Sequence, residues 1–181
     1  MNFYSKLIIL KTYYLMAFFI LLSTTNISAQ TQVENIKPEN LFDFWIGNWD
    51  LTWESSSGDG IGENVIIKIL ENKVIQENFK VLNDPNIQGF IGKSWSVYNQ
   101  NNGIWYQTWV DNQGAYLDFI GEIDGENRIF KRSITKADGS VILQRMVFSN
   151  ISENSFIWDW ENSTDGGKTW NLQWRINYKR K

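Results

Sequence analysis

From Asn48 to the end of the chain, apolar and polar residues alternate in short runs. Trp49, Leu51 and Trp53 oppose Asp50, Thr52 and Glu54, and near the C-terminus Trp170, Leu172, Trp174, Ile176 and Tyr178 oppose Asn171, Gln173, Arg175, Asn177 and Lys179. A period of two sends successive side chains to opposite faces, so each run predicts a strand with one buried and one wet face. Ten runs of this kind can be read, at 48–55, 62–70, 74–82, 89–98, 104–110, 115–122, 127–135, 140–149, 155–162 and 169–180. Between them, Glu71-Asn72, Asn101-Asn102-Gly103, Asp111 to Gly114, Asp124-Gly125 and Asp138-Gly139 supply residues that tolerate positive φ in tight turns. Short turns make hairpins, and a meander of ten strands either leaves two exposed edges or curls until its last strand meets its first. Only Asn83 to Gln88 forms a longer loop, whereas a two-sheet sandwich needs longer crossovers. The expectation is an all-β, closed antiparallel up-and-down barrel of about ten strands. One or two helical turns are expected ahead of it, over Glu39 to Trp45, after Pro38.

The first thirty residues break this pattern. Lys6 and Lys11 make a positive start, Tyr13 to Leu22 is apolar, and Ser28-Ala29 offers small residues for cleavage. These are the parts of a signal peptide, expected to be cut after Ala29, and the apolar stretch is short of the roughly 20 residues of a membrane span. The division expected is a signal peptide over 1–29, a linker over 30–40 and one barrel domain over 41–181. Export to the periplasm or the outside follows, with no membrane span after processing. Lys6 and Lys11 are the only charges in 1–29, so the remaining 152 residues carry 15 basic against 20 acidic side chains, a net charge of −5. A mildly acidic chain without a basic block lacks the footprint of a nucleic-acid binder.

Composition removes further chemistry. Without Cys there are no disulfides, no thiolate nucleophile and no acylated cysteine at the signal junction. Without His there is no Ser-His-Asp triad, no imidazole ligation of haem or zinc, and no ordinary proton shuttle near neutral pH. No cofactor or metal is expected.

The first strand reads Phe42-Asp43-Phe44-Trp45-Ile46-Gly47-Asn48-Trp49-Asp50, and its Gly47-x-Trp49 resembles the opening signature of lipocalins and related barrels. That resemblance implies an Arg from the last strand packed across the Trp. Closure places the end of strand ten beside the start of strand one, and Arg180 stands there with the parity of Trp170, Trp174 and Tyr178, poised to stack on Trp49. With Gly92 to Tyr98, Trp105 to Asp111 and Trp160 to Trp170, the pattern resembles a family of exported bacterial proteins of lipocalin-like or nitrobindin-like fold, over nearly all of 42–180. The resemblance implies a fold and no particular reaction. Haem ligation through a His, as in nitrobindin-like proteins, does not carry over. Ser163-x-Asp165-x-Gly167-x-Thr169-Trp170 also resembles the Asp box of sialidase-like propellers, but it occurs once. It is expected to be a hairpin turn in which Asp165 binds backbone amides and Trp170 packs beneath.

The barrel interior is the default site, since eight strands already hold a small ligand and ten enclose more. The ten Trp residues either fill it or line a cavity. Trp53, Trp95, Trp109, Trp158 and Trp160 are candidate wall residues. Three polar residues share parity with apolar neighbours and need partners if they point inward: Glu77 between Ile75 and Phe79, Gln107 between Trp105 and Trp109, and Arg145 between Leu143 and Val147. Glu77 and Arg145 either pair with each other, or Arg145 anchors an anionic head group as in fatty-acid-binding barrels.

The leading expectation is a barrel that binds a small apolar or amphipathic molecule. The alternatives are an extracytoplasmic enzyme, an isomerase, cyclase or glycan-acting protein using Glu77 or Asp118 with Tyr106, Tyr116 or Lys93, and a structural or glycan-binding module. A carboxylate inside a cavity marks the enzyme; solvent-facing Trp105, Trp158 or Trp160 mark glycan binding. The oligomeric state is open.

Overall fold

The computed structural model describes residues 36–56 and 58–181. The expected signal peptide and most of the linker lie outside the described residues. Among the described residues no helix is long and apolar enough to cross a membrane.

Two 3-10 turns, Pro38–Asn40 and Asp43–Trp45, precede ten strands. These are β1 (Gly47–Ser55), β2 (Gly58–Ile69), β3 (Val74–Asn83), β4 (Ile91–Asn99) and β5 (Ile104–Asp111). They continue as β6 (Tyr116–Asp124), β7 (Asn127–Thr135), β8 (Val141–Ser149), β9 (Ser155–Ser163) and β10 (Asn171–Arg180). Each strand pairs antiparallel with its neighbours in sequence, and β10 pairs with β1, closing the barrel. The turn residues do what their chemistry allows: Asn72, Gly103, Gly114, Gly125 and Gly139 all sit at positive φ.

Period two sorts the walls cleanly on β1, where Trp49, Leu51 and Trp53 are buried and the residues between them exposed. It fails on β10. A bulge between Leu172 and Trp174 adds one residue against β9, so Leu172 sits opposite Glu161 and Trp174 opposite Trp160. Trp174, Ile176 and Tyr178 keep the inward face, but Leu172 is left exposed and Trp170, expected on the same face, lies on the other side. There its ring receives the Arg145 guanidinium at 3.9 Å. In the turn before it, Asp165 accepts from the Lys168 and Thr169 amides at 3.0 Å and from the Thr169 hydroxyl at 2.6 Å. These bonds, the Thr169 hydroxyl first, hold its carboxyl well below the usual carboxylate range.

One end of the barrel is plugged by the 3-10 turns. Phe42 stacks on Phe130 at 4.4 Å and meets Trp105 edge-on, while Trp45 meets Phe148. The plug's carbonyls are used as acceptors: the Trp49 indole donates to Trp45 O and the Trp105 indole to Pro38 O, each at 2.8 Å. Burial of this many rings is the main stabilising term at this end.

Arg180 joins plug and seam. Trp49 and Arg180 are register partners across β1 and β10, and the guanidinium lies 4.1 Å from the Trp49 ring. It also donates to Ile46 O at 2.9 Å, Phe44 O at 3.3 Å and Glu153 O at 2.7 Å. Gly47 permits this, since its φ is +147° and a Cβ there would stand 2.1 Å from an Arg180 nitrogen. Arg180→Ala is expected to lose about 2 kcal/mol of stability in urea unfolding, from the charge-assisted bonds and the ring contact. Arg180→Lys should recover less than half, because an ammonium cannot reach three carbonyls from a planar fork. Equal stability of Arg180→Ala and the parent protein would remove Arg180 from this role.

Candidate functional site

The half of the barrel away from the plug is hollow. A cavity of about 210 Å³ lies there, walled by apolar and aromatic side chains with Glu77, Tyr178 and Asp111 as its polar groups. Trp109 on β5, Trp158 and Trp160 on β9 and Trp174 on β10 supply its indole surfaces, with Phe79, Phe119 and Met146 between them. The rings hold one another edge to face: Trp174 stands nearly perpendicular to Trp158, Phe79 and Trp53, and Phe119 to Trp160. Trp109 reaches across β4 because position 92 is Gly, where a Cβ would be 2.1 Å from the indole. Phe90 and Asp111, at the start of β4 and the end of β5, mark the end of the cavity opposite the plug.

The floor is a chain of hydrogen bonds between inward residues of neighbouring strands. Asn64 Nδ2 donates to Glu77 at 2.7 Å and to the Tyr178 hydroxyl oxygen at 3.1 Å. Ser94 Oγ donates to the other Glu77 oxygen at 2.6 Å, and Gln107 Nε2 donates to Ser96 Oγ at 3.0 Å and Ser94 Oγ at 3.4 Å. Two buried acceptors in this chain, Asn64 Oδ1 and Gln107 Oε1, have no donor. Burial raises the Glu77 carboxyl from the ordinary 4.5 to about 7, against the lowering effect of the Ser94 and Asn64 bonds. The Tyr178 hydroxyl is pushed up as well, by burial first and by the nearby Glu77 second. At Asp111 burial also pushes upward, but the Trp109 indole and the Ala115 and Gln113 amides outweigh it, and the carboxyl is held below its usual range.

The candidates from the sequence fall into three groups. Glu77, Trp109, Trp158 and Trp160 line the cavity. Trp53 and Gln107 are buried and inward but stand behind it: Trp53 donates to Asp84 at 2.8 Å and packs on Trp174, and Gln107 sits behind Ser94. Trp95 and Arg145 are outside. Trp95 alternates with the fully buried Ser94 and Ser96, and borders an open surface groove with Thr108 and Asp118. Arg145 is paired with Glu161 at 2.6 Å. It contacts neither Glu77 nor the cavity, which corrects the expectation of an internal ion pair or an interior anion handle. The reason is that β8 is apolar on both faces. Met146 and Phe148 join the core while Val147 is buried on the opposite side, where Asp159, its register partner on β9, binds Arg175. Alternation therefore could not choose Arg145's side.

Sequence reasoning missed Asn64, Ser94, Tyr178 and Asp111 as site residues. The first two carried a signal: they are small polar residues at inward parity on the strands flanking Glu77, between Gly62 and Ile66 and between Gly92 and Ser96. Among the alternatives, Trp105, Trp158 and Trp160 face inward and form no outer surface, and Asp118 is exposed and not inside the cavity. A scan against protein-family models matches none, and a search of curated proteins finds no significant match.

The raised carboxyl has a stability signature. Between pH 4.5 and about 7 the folded protein holds a proton on Glu77 that the unfolded chain has released, so Glu77 costs stability as pH rises through that window. Glu77→Gln keeps the shape without the charge. Relative to the parent protein it is expected to gain about 2–3 kcal/mol between pH 5 and pH 8 in urea unfolding. A stability difference that does not change with pH would show that Glu77 titrates normally.

Proposed function

We propose that this chain is an exported barrel that binds a small, mostly apolar molecule in the half of its interior away from the plug. The observation that carries the reading is the cavity itself. Four Trp and several Phe side chains are ordered around an empty volume instead of collapsing into it, although packing favours filled cores. The other half of the same barrel is filled by rings, so the sequence has the means to fill space where a core is wanted. Export is supported by the charge and hydropathy of residues 1–29, and kinship with exported lipocalin-like proteins by Gly47-x-Trp49 and Arg180.

The ligand differs from a fatty acid. Among the described residues no Lys or Arg lines the cavity, and its ionisable groups are two carboxyls and a phenol. A carboxylate head group would meet like charge there, at a cost that low dielectric magnifies.

A second reading rests on Glu77 alone. A carboxyl titrating near 7 in an apolar cavity is suited to proton transfer, with Tyr178 the neighbouring hydroxyl. Recovery of a bound molecule chemically unchanged after long incubation decides for binding; a converted product decides for an enzyme.

Native mass spectrometry of the processed protein from its own host is expected to show a small molecule lost on unfolding. In parallel, the neutral dye N-phenyl-1-naphthylamine should brighten on saturable one-to-one binding, and Leu117→Trp, which fills the cavity wall, should weaken it about tenfold or more. Unchanged dye binding in Leu117→Trp would place the dye outside and overturn the reading.

A further inference from the structure

The hollow half of the barrel is one-sided in charge. Glu77 stands at its floor and Asp111 at its outer end, and among the described residues no cationic side chain lines it. The Glu77 oxygens each accept one hydrogen bond, from Asn64 and from Ser94, which leaves further lone pairs on both. Next to them Asn64 Oδ1 is fully buried and lacks a donor, and so does Gln107 Oε1 one step along the chain. Of these acceptors only Glu77 lines the cavity, beside the Tyr178 hydroxyl. Around it are the indoles of Trp109, Trp158, Trp160 and Trp174, a side-chain type whose π-cloud attracts cations.

We propose that the ligand carries a protonated amine, seated among the indoles with its N–H groups turned to the Glu77 carboxylate. The inference rests on the reading of the cavity as a binding site and adds the chemical class of the ligand: a small aromatic or aliphatic amine, cationic at neutral pH. A single ammonium brings several donors and a positive charge to the remaining lone pairs of Glu77. It neutralises a buried carboxylate that is otherwise costly to ionise, and one buried ion pair with added hydrogen bonds is the arrangement in which burial of charge is tolerated. The ionised Asp111 at the outer end gives an entering cation an attractive field. Among the described residues the titratable groups facing Glu77 are Tyr178, joined to it through Asn64, and Asp111 toward the open end; β2 and β4 on either side present the neutral Asn64 and Ser94.

The test is a set of three probes with one phenyl skeleton, 2-phenylethylamine, 2-phenylethanol and 3-phenylpropionate, titrated into the full-length processed protein by calorimetry at pH 8. The amine is expected to bind at least tenfold more tightly than the alcohol, and the carboxylate not at all. Lowering the pH to 5.5 should weaken the amine by about tenfold and leave the alcohol unchanged, since Glu77 is then protonated while the amine stays charged. Glu77→Gln should remove both the preference and its pH dependence. If the alcohol or the carboxylate binds as tightly as the amine, the amine assignment is wrong while the cavity remains a binding site. If none of the three binds and N-phenyl-1-naphthylamine also fails, the binding reading falls with it.

Discussion

A meander of ten strands has to meet its own first edge, and everything else in this molecule follows from how that seam is held. Only four register pairs join β1 to β10, fewer than the nine that join β1 to β2. The seam is reinforced at one end by Arg180, whose guanidinium ties the closing strand to the carbonyls of the segment that opens the barrel and covers the Trp49 ring. The same segment carries Phe42 and Trp45 into the barrel as a plug. Closure and plugging are thus one construction, and they decide which half of the interior is solid.

A barrel of this width has more interior than its inward side chains fill unless they are large and pointed at one another. At the plugged end extra rings arrive from the 3-10 turns and the space closes. At the other end Phe90, from the loop before β4, packs on Phe79 and Trp109 without filling the space, and the rings are propped edge to face around a void. Glu77 marks the boundary between the two regimes. Its place there is paid for in desolvation, which shows as a carboxyl titrating near neutrality, and is eased by Asn64 and Ser94 from the strands on either side.

The outer surface has a polar economy of its own. Arg145 lies against Trp170 and Glu161, and Arg175 holds the buried Asp159 through two bonds of 2.6 and 2.7 Å. These pairs stiffen β8, β9 and β10 from outside while the cavity lies inside them. Charge is sorted around the hollow half: Arg145 and Arg175 pair on the outer face, while Glu77 and Asp111 line the cavity, and the buried Arg128 belongs to the plugged end, where it donates to Leu41 O.

Alternation and turn chemistry in the sequence were enough to define ten antiparallel strands and their closure, because period two and tight turns are local properties and closure is the remedy for exposed edges; the Trp49–Arg180 pair was implied by the resemblance of Gly47-x-Trp49 to the lipocalin signature. They also singled out Glu77 and Gln107 as inward polar groups, since each shares parity with large apolar neighbours, Ile75 and Phe79 or Trp105 and Trp109. Tertiary structure decided the rest. Period two is silent on β8, where both faces are buried, and so Arg145 had no legible side. It is interrupted on β10, where a one-residue bulge turns Leu172 and Trp170 outward. Whether Trp fills or lines a barrel depends on the distance between walls and on what enters from the ends, and that distance exists only after the last strand has found the first.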